Sequence, residues 1–212
     1  MNALVLAPVL VPLVAAALGL VAWRHPDLQR YVAIGGAALL LVAGVALLLT
    51  VEREGIQTLQ LGGWPAPFGI TMVADLFSAI LIVLAGVLAV AVVLYSTATI
   101  DAGRERHASY PLTMVLLAGV AGTVLPGDLC NLYVWIEILL IASFVLLALG
   151  GERAQLEGAL KYVALNLVAS AVLLVTIGVV YGMTGTLNMA DLSGRLAAVE
   201  ADGLVAAVAA ML

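Results

Sequence analysis

The sequence predicts an all-α protein, a polytopic bundle of helices that crosses a membrane several times. Hydrophobic residues make up 65% of the 212 residues, charged residues make up 10%, and the mean hydropathy is +1.22. A soluble domain contains about 25% charged residues, so this chain lacks the polar side chains that would cover a surface in water. Lipid is therefore the expected solvent for a single membrane domain that extends over residues 1–212.

Six apolar stretches have about the length that a helix needs to cross a bilayer core of about 30 Å. Their expected bounds are 4–23, 31–51, 73–97, 110–126, 129–150 and 159–183, and a seventh stretch begins near residue 203. Because the seventh would be incomplete at Leu212, we expect the chain to be the first part of a longer protein. No basic segment precedes the first stretch, which favours a retained helix over a cleaved signal peptide.

The arginines predict how the helices are oriented. Cytoplasmic loops of membrane proteins are enriched in Lys and Arg. The first, third and fifth loops together carry five arginines, and the remaining loops carry two, Arg53 and Arg195. The odd loops are therefore expected in the cytoplasm and the amino terminus outside. The five are Arg24, Arg30, Arg104, Arg106 and Arg153.

Several functional classes are excluded by composition. A net charge of −5 does not suit a partner with a phosphate backbone, so no nucleic acid is expected. The single cysteine, Cys130, and two histidines in expected loops, His25 and His107, do not suggest a metal centre. No nucleotide-binding motif occurs, so we expect no cofactor and no enzymatic activity.

Glu137 is the strongest candidate for a functional residue. It lies in the fifth stretch, about 12 Å into a membrane core of about 30 Å. An acid at this depth needs a partner, a bound proton or water, and such acids commonly serve proton relays. Helical spacing places Tyr133 one turn away on the same face, where its hydroxyl can support the carboxyl. The alternative is a protonated Glu137 that only joins two helices by a hydrogen bond.

Lys161 is the second candidate, at the start of the sixth stretch. A desolvated lysine can alternate between charged and neutral forms, as a relay requires. Alternatively, Lys161 extends to the membrane surface and pairs with Glu157, four residues earlier. Further along the stretch, Asn166 and Ser170 can hold water on an ion path or form hydrogen bonds between helices.

Asp75, at the start of the third stretch, is the weakest candidate. Its position favours a helix cap over an ion site. Asp128 follows Pro126 and Gly127 in a tight turn, and it is expected to cap the fifth helix in the same way.

Four strings of residues resemble the D-type subunit of Mrp-type multisubunit Na⁺/H⁺ antiporters. They are Leu61–Ile70, Gly127–Phe144, Leu156–Tyr162 and Gly185–Leu192. This family is related to the antiporter-like subunits of respiratory complex I. The resemblance implies about fourteen helices with two inverted repeats of five helices. It also implies that Glu137 is the fifth-helix glutamate required for ion transport and Lys161 the sixth-helix lysine, and that the glutamate pairs with a lysine of the seventh helix.

The resemblance predicts a proton-translocating membrane subunit of a cation (Na⁺)/proton antiporter in a prokaryotic plasma membrane. Its partners would be other subunits of the complex, the lipid bilayer and the transported Na⁺ and H⁺. One alternative is a proton-pumping subunit of complex I or of a membrane-bound hydrogenase. Another is a structural scaffold without transport activity.

Overall fold

The computed structural model describes residues 3–196, which form helices and one β-hairpin. A 3-10 turn at Ala3–Leu6 leads into the first helix. The helices are α1 (Ala7–Val21), α2 (Pro26–Glu54), α3 (Leu76–Thr99), α4 (Ala102–Arg106), α5 (Ser109–Val124), α6 (Leu129–Ala148), α7 (Arg153–Thr184) and α8 (Met189–Leu196). The hairpin consists of β1 (Gln57–Gln60) and β2 (Thr71–Ala74).

Within residues 3–196, five helical segments are long and apolar enough to cross a membrane, which confirms the predicted all-α transmembrane fold. They are Ala3–Val21, Pro26–Glu54, Leu76–Thr99, Leu129–Ala148 and Arg153–Thr184. The apolar helix α5 lies between them in the chain and has 16 residues, about 24 Å of helix. The centre of each of the six expected stretches thus lies in a helix, whereas the expected seventh stretch falls outside the described residues.

The observed helices differ from the expected bounds at their ends. Helix α2 is longer than 31–51 and begins at Pro26, a residue whose fixed φ suits the first helical position. Helix α7 is longer than 159–183 and begins at Arg153. The expected helix was shorter because the first turns of α7 carry charged residues and are not apolar. The short helices α4 and α8 were not expected. Hydropathy marks the apolar centre of a helix and misses polar turns that continue it.

The hairpin corrects the expected start of the third helix at residue 73. Residues Thr71–Ala74 pair with Gln57–Gln60 in an antiparallel ladder, so they are extended. Helix α3 begins only at Leu76, after a capping box in which the Ser78 N–H donates to Asp75 Oδ1 at 2.7 Å. The Asp75 N–H donates in return to Ser78 Oγ at 2.9 Å. The cap that the sequence favoured for Asp75 is therefore present.

The helices pack closely where glycine faces a neighbouring helix. A Cβ added to Gly119 of α5 would lie 2.8 Å from the Cα of Leu139 in α6. A Cβ added to Gly86 of α3 would lie 2.7 Å from the Cα of Leu41 in α2. Small residues allow such close approach in membrane proteins, where van der Waals packing drives association. The pairs α2–α3 and α5–α6 are held in this way.

The bundle has two different ends. The arginine end holds Arg30, whose Nη2 lies 2.9 Å from Glu105 Oε1 and so ties α2 to α4. The hairpin end holds the hairpin, the α5–α6 turn and α8. There the buried Asp128 caps α6 by accepting from the Asn131 N–H at 2.7 Å, and it accepts from the Thr71 N–H at 3.2 Å. One carboxylate thus joins the hairpin to α6.

Replacing Asp128 with Ala is expected to lower the stability of the protein by about 1–3 kcal/mol, because two N–H groups lose their acceptor. The measurement is the melting temperature of the purified full-length protein in detergent. The matched control is Asp101→Ala, which removes an exposed cap that accepts from the Arg104 N–H at 2.9 Å. Equal losses in the two variants would contradict the structural role of Asp128.

Candidate functional site within the membrane helices

Glu137 lies near the middle of α6. The helix has 20 residues, so it is about 30 Å long, and Glu137 is about 12 Å from its first residue. The side chain is half-buried between α6 and α7. A carboxyl group at this depth is far from the ends of the helix, where a charge would meet water.

Ser170 of α7 is the direct partner of Glu137. Its hydroxyl donates to Glu137 Oε1, and Ser170 is only 7% exposed. The same Oγ lies 3.4 Å from the hydroxyl oxygen of Tyr133. A serine hydroxyl has one hydrogen and two lone pairs, so Ser170 can donate to Glu137 while it accepts from Tyr133. The structure therefore brings together Glu137, Tyr133 and Ser170 in one hydrogen-bonded chain.

Lys161 does not join this group. It precedes Ser170 by nine residues, which places it half a turn away on α7 and about 13 Å along the axis. Its side chain is 72% exposed, and Nζ lies 2.6 Å from Glu157 Oε1. This is the pair that the alternative interpretation of Lys161 expected. Exposed pairs of this kind contribute about 0.3–0.5 kcal/mol.

Asn166 and Asp75 are also apart from Glu137. Asn166 lies one turn before Ser170, and its Nδ2 donates to the backbone oxygen of Tyr162 at 2.8 Å. Asp75 is at the hairpin end, where the Ser78 N–H lowers the pKa of its carboxyl group and favours the ionised form. It lines a cleft of about 620 Å³ together with Thr71, Asn188 and Ser193.

The hairpin end contains polar residues that the sequence interpretation did not assign to any site. Thr71, Asn188 and Thr186 are each at most 5% exposed, and Asn188 Nδ2 donates to Thr71 Oγ1 at 3.4 Å. The only sequence signal for these residues is that they are polar and lie near the ends of the apolar stretches. Hydropathy does not distinguish a polar turn that is buried from one that is solvated. Within residues 3–196, no group of three or more His, Cys, Asp or Glu side chains is arranged to hold a metal ion.

Comparison with known sequences places the chain near antiporter subunits. The family model described as "NADH:quinone oxidoreductase/Mrp antiporter, TM" matches residues 126–212. The D-type subunit of the Na⁺/H⁺ antiporter of Bacillus subtilis is 42% identical over 212 residues, which are 100% of this chain and 43% of the relative. The D-type subunit of the probable K⁺/H⁺ antiporter of Rhizobium meliloti is 40% identical over 208 residues, 94% of this chain and 38% of the relative.

Solved structures share the fold. A chain of the Mrp complex from Dietzia sp. superposes with a TM-score of 0.85 at 30% identity, over 98% of this chain and 39% of that one. A chain of the membrane-bound sulfane sulfur reductase, an archaeal respiratory complex, superposes with a TM-score of 0.91 over 99% of this chain and 43% of that one. Its identity is 24%, so this second likeness shows the fold alone.

Proposed function

Because the chain belongs to the family of D-type subunits of Mrp-type Na⁺/H⁺ antiporters, we propose that the protein containing it is a proton-translocating membrane subunit of a multisubunit cation/proton antiporter. The chain spans 42–43% of the length of the Na⁺/H⁺ antiporter relatives that it matches. The proposed exchange takes cytoplasmic Na⁺ out and external H⁺ in. The observation that carries this proposal is the half-buried Glu137, held by Ser170 in the middle of α6.

Glu137 is the proposed proton-binding group. In a medium of low polarity, a carboxylate is stabilised by hydrogen-bond donors and by nearby positive charge, and otherwise it binds a proton. Ser170 supplies a donor, and Tyr133 extends the chain of hydroxyl groups by one more link. Loss of the proton is then favoured whenever a basic group approaches Glu137, and uptake is favoured when that group withdraws.

Lys161 is the proposed second group of the relay. It lies on the face of α7 opposite to Ser170, so transfer between Lys161 and Glu137 requires groups or water beyond the contacts described above. Asn166 lies between their levels on α7 and is the proposed support for such water. Asp75 at the hairpin end, which lines a cleft, is the proposed weaker support on the ion path.

The proposed orientation places the arginine end in the cytoplasm and the hairpin end outside. Cytoplasmic loops are enriched in basic residues, and the turns and helix ends at the arginine end carry Arg24, Arg30, Arg104 and Arg153. The amino terminus is then outside the plasma membrane, and the other subunits of the complex contact the bundle from the side.

The test of this function uses inverted membrane vesicles from cells that lack the native subunit and carry the full-length gene. A proton gradient is established by ATP hydrolysis, and Na⁺ is then added. We expect Na⁺ to dissipate the gradient in these vesicles and not in vesicles from cells with an empty vector. Absence of any Na⁺-dependent or K⁺-dependent proton movement in the complete complex would overturn the proposal.

The alternative function is that of a proton-pumping subunit in a redox complex. The description of the matching family model names both NADH:quinone oxidoreductase and Mrp antiporter, whereas the identity of about 40% with antiporter subunits favours exchange. The same vesicles separate the two functions. A redox pump moves protons only when an electron donor is supplied, and an antiporter responds to the cation without one. Substituting K⁺ for Na⁺ in this assay identifies the coupled cation.

Replacing Ser170 with Ala is expected to slow cation-dependent proton exchange because Glu137 loses its hydroxyl donor. Ser170→Thr keeps a hydroxyl group and is expected to restore most of the rate. The matched control is Ser143→Ala on α6, where the hydroxyl donates to its own helix at Leu140 O, 2.8 Å away. Equal rates in the two alanine variants would show that Ser170 does not position Glu137.

A further inference from the structure

We infer that the cleft between α6, α7 and the tip of the hairpin is the route by which water and protons from the hairpin side reach Glu137. The inference rests on the proposed function and adds to it the side and the path of access. We call this space the α6–α7 cleft. It is distinct from the cleft beside Asp75, which is lined by the hairpin strands and by residues of α3, α5 and α8.

The α6–α7 cleft has a volume of about 270 Å³. A water molecule occupies about 30 Å³ in the liquid, so the cleft has room for several. Its walls are the hairpin tip, the first residues of α6 and the end of α7. The lining residues are Pro67–Ile70, Asp128, Cys130, Tyr181 and Gly185–Leu187.

The charge of the α6–α7 cleft suits protons and other cations. Asp128 provides a carboxylate in its wall, and no Lys or Arg side chain is among its lining residues. Arg195 lies close to the end of α7, where its Nη1 donates to Thr184 O at 2.8 Å. Its charge is balanced by Asp191, because Arg195 Nε lies 3.0 Å from Asp191 Oδ2. The local field therefore attracts positive charge.

One face of α6 leads from the cleft to Glu137. Cys130, Tyr133 and Glu137 follow one another at spacings of three and four residues, so they share this face. Cys130 is exposed in the cleft wall, and Tyr133 lies about 4.5 Å deeper along the helix. From Tyr133 the hydrogen bonds pass through Ser170 to the Glu137 carboxyl group. A proton that enters the cleft at Cys130 therefore reaches the Tyr133 hydroxyl group after about one helical turn.

The neighbouring cleft beside Asp75 offers no comparable path. This cleft is larger, about 620 Å³, and the acidic residue in its wall is Asp75. The Asp75 side chain is engaged in the cap of α3, and none of its hydrogen-bond partners lies on α6 or α7. The two clefts therefore provide matched positions for one experiment.

The experiment uses the complete antiporter complex in right-side-out and inverted vesicles, treated with a membrane-impermeant methanethiosulfonate that carries a trimethylammonium group. Cys130 is the single cysteine of the chain, so it is a natural reporter of the cleft. We expect the reagent to label Cys130 from the outer side only and to remove most of the Na⁺-dependent proton exchange. Cys130→Ser is expected to exchange normally and to resist the reagent, which separates Cys130 from cysteines elsewhere in the complex.

A second variant, Cys130→Ser with Ser193→Cys, places the thiol in the cleft beside Asp75. We expect it to be labelled from the same side without loss of exchange. The α6–α7 cleft is not the route if Cys130 is not labelled or if its labelling leaves exchange unchanged. The same conclusion follows if exchange is inhibited only by labelling of the Ser193→Cys variant. Any of these results leaves the proposed function intact, since that function is decided by the response of unmodified vesicles to cation.

Discussion

Replacing Glu137 with Gln in the complete antiporter complex is expected to abolish cation-dependent proton exchange while the helix bundle stays assembled. Gln has nearly the same shape and can still accept the hydrogen bond from Ser170, but it cannot take up or release a proton. Glu137→Ala is expected to abolish exchange as well. The measurement is the rate at which added Na⁺ dissipates a proton gradient in inverted vesicles.

The matched control for Glu137 is Glu152→Gln. Glu152 is an exposed acid at the start of α7, so its neutralisation changes the net charge equally without touching the bundle interior. It is expected to retain the parental rate. If Glu137→Gln or Glu137→Ala exchanges as fast as the parent, at an equal amount of subunit in the membrane, Glu137 is not the proton-binding group.

Replacing Gly119 with Ala is expected to destabilise the protein by about 1–3 kcal/mol, the usual cost of overpacking. The added methyl group would lie 2.8 Å from both Cα and Cβ of Leu139, and backbone atoms cannot rotate away as a flexible side chain does. The helices α5 and α6 must then separate. Because Leu139 is two residues from Glu137, the shift also disturbs the contact with Ser170.

The control for Gly119 is Gly178→Ala in the last third of α7, where nothing lies within 4 Å of the added methyl group. Ala favours the helical conformation over Gly by about 1 kcal/mol, so this variant is expected to be neutral or slightly stabilising. Melting temperatures of the full-length variants in detergent give the comparison. Equal melting temperatures would show that α5 and α6 do not pack through Gly119.

Local properties of the chain were sufficient to predict the long apolar helices and the acid among them. Each apolar stretch satisfies its own backbone hydrogen bonds as a helix, and the membrane permits few other structures. Glu137 was conspicuous because it interrupts such a stretch at mid-depth. The cap at Asp128 was also predictable, since Pro126 and Gly127 place it directly before a helix.

Contacts between distant parts of the chain were not predictable in this way. The end of the strand Thr71–Ala74 is continuous in hydropathy with the third helix, and its partner, Gln57–Gln60, lies more than ten residues away. The second hydrogen bond of Asp128, to the Thr71 N–H, likewise joins residues 57 positions apart. Pairing of this kind depends on how the helices bring loops together, and a local pattern does not encode it.

A transmembrane helix bundle with an acid at its centre followed from the sequence by itself, because hydropathy and charge act residue by residue. Helical spacing alone also places Lys161 and Ser170 on opposite faces of α7. Only the tertiary structure decided which of these faces packs on α6, and it is the face of Ser170. The physical reason is that α6 packs against α7 through one side, so the partner of Glu137 is chosen by the rotation of α7 in the bundle.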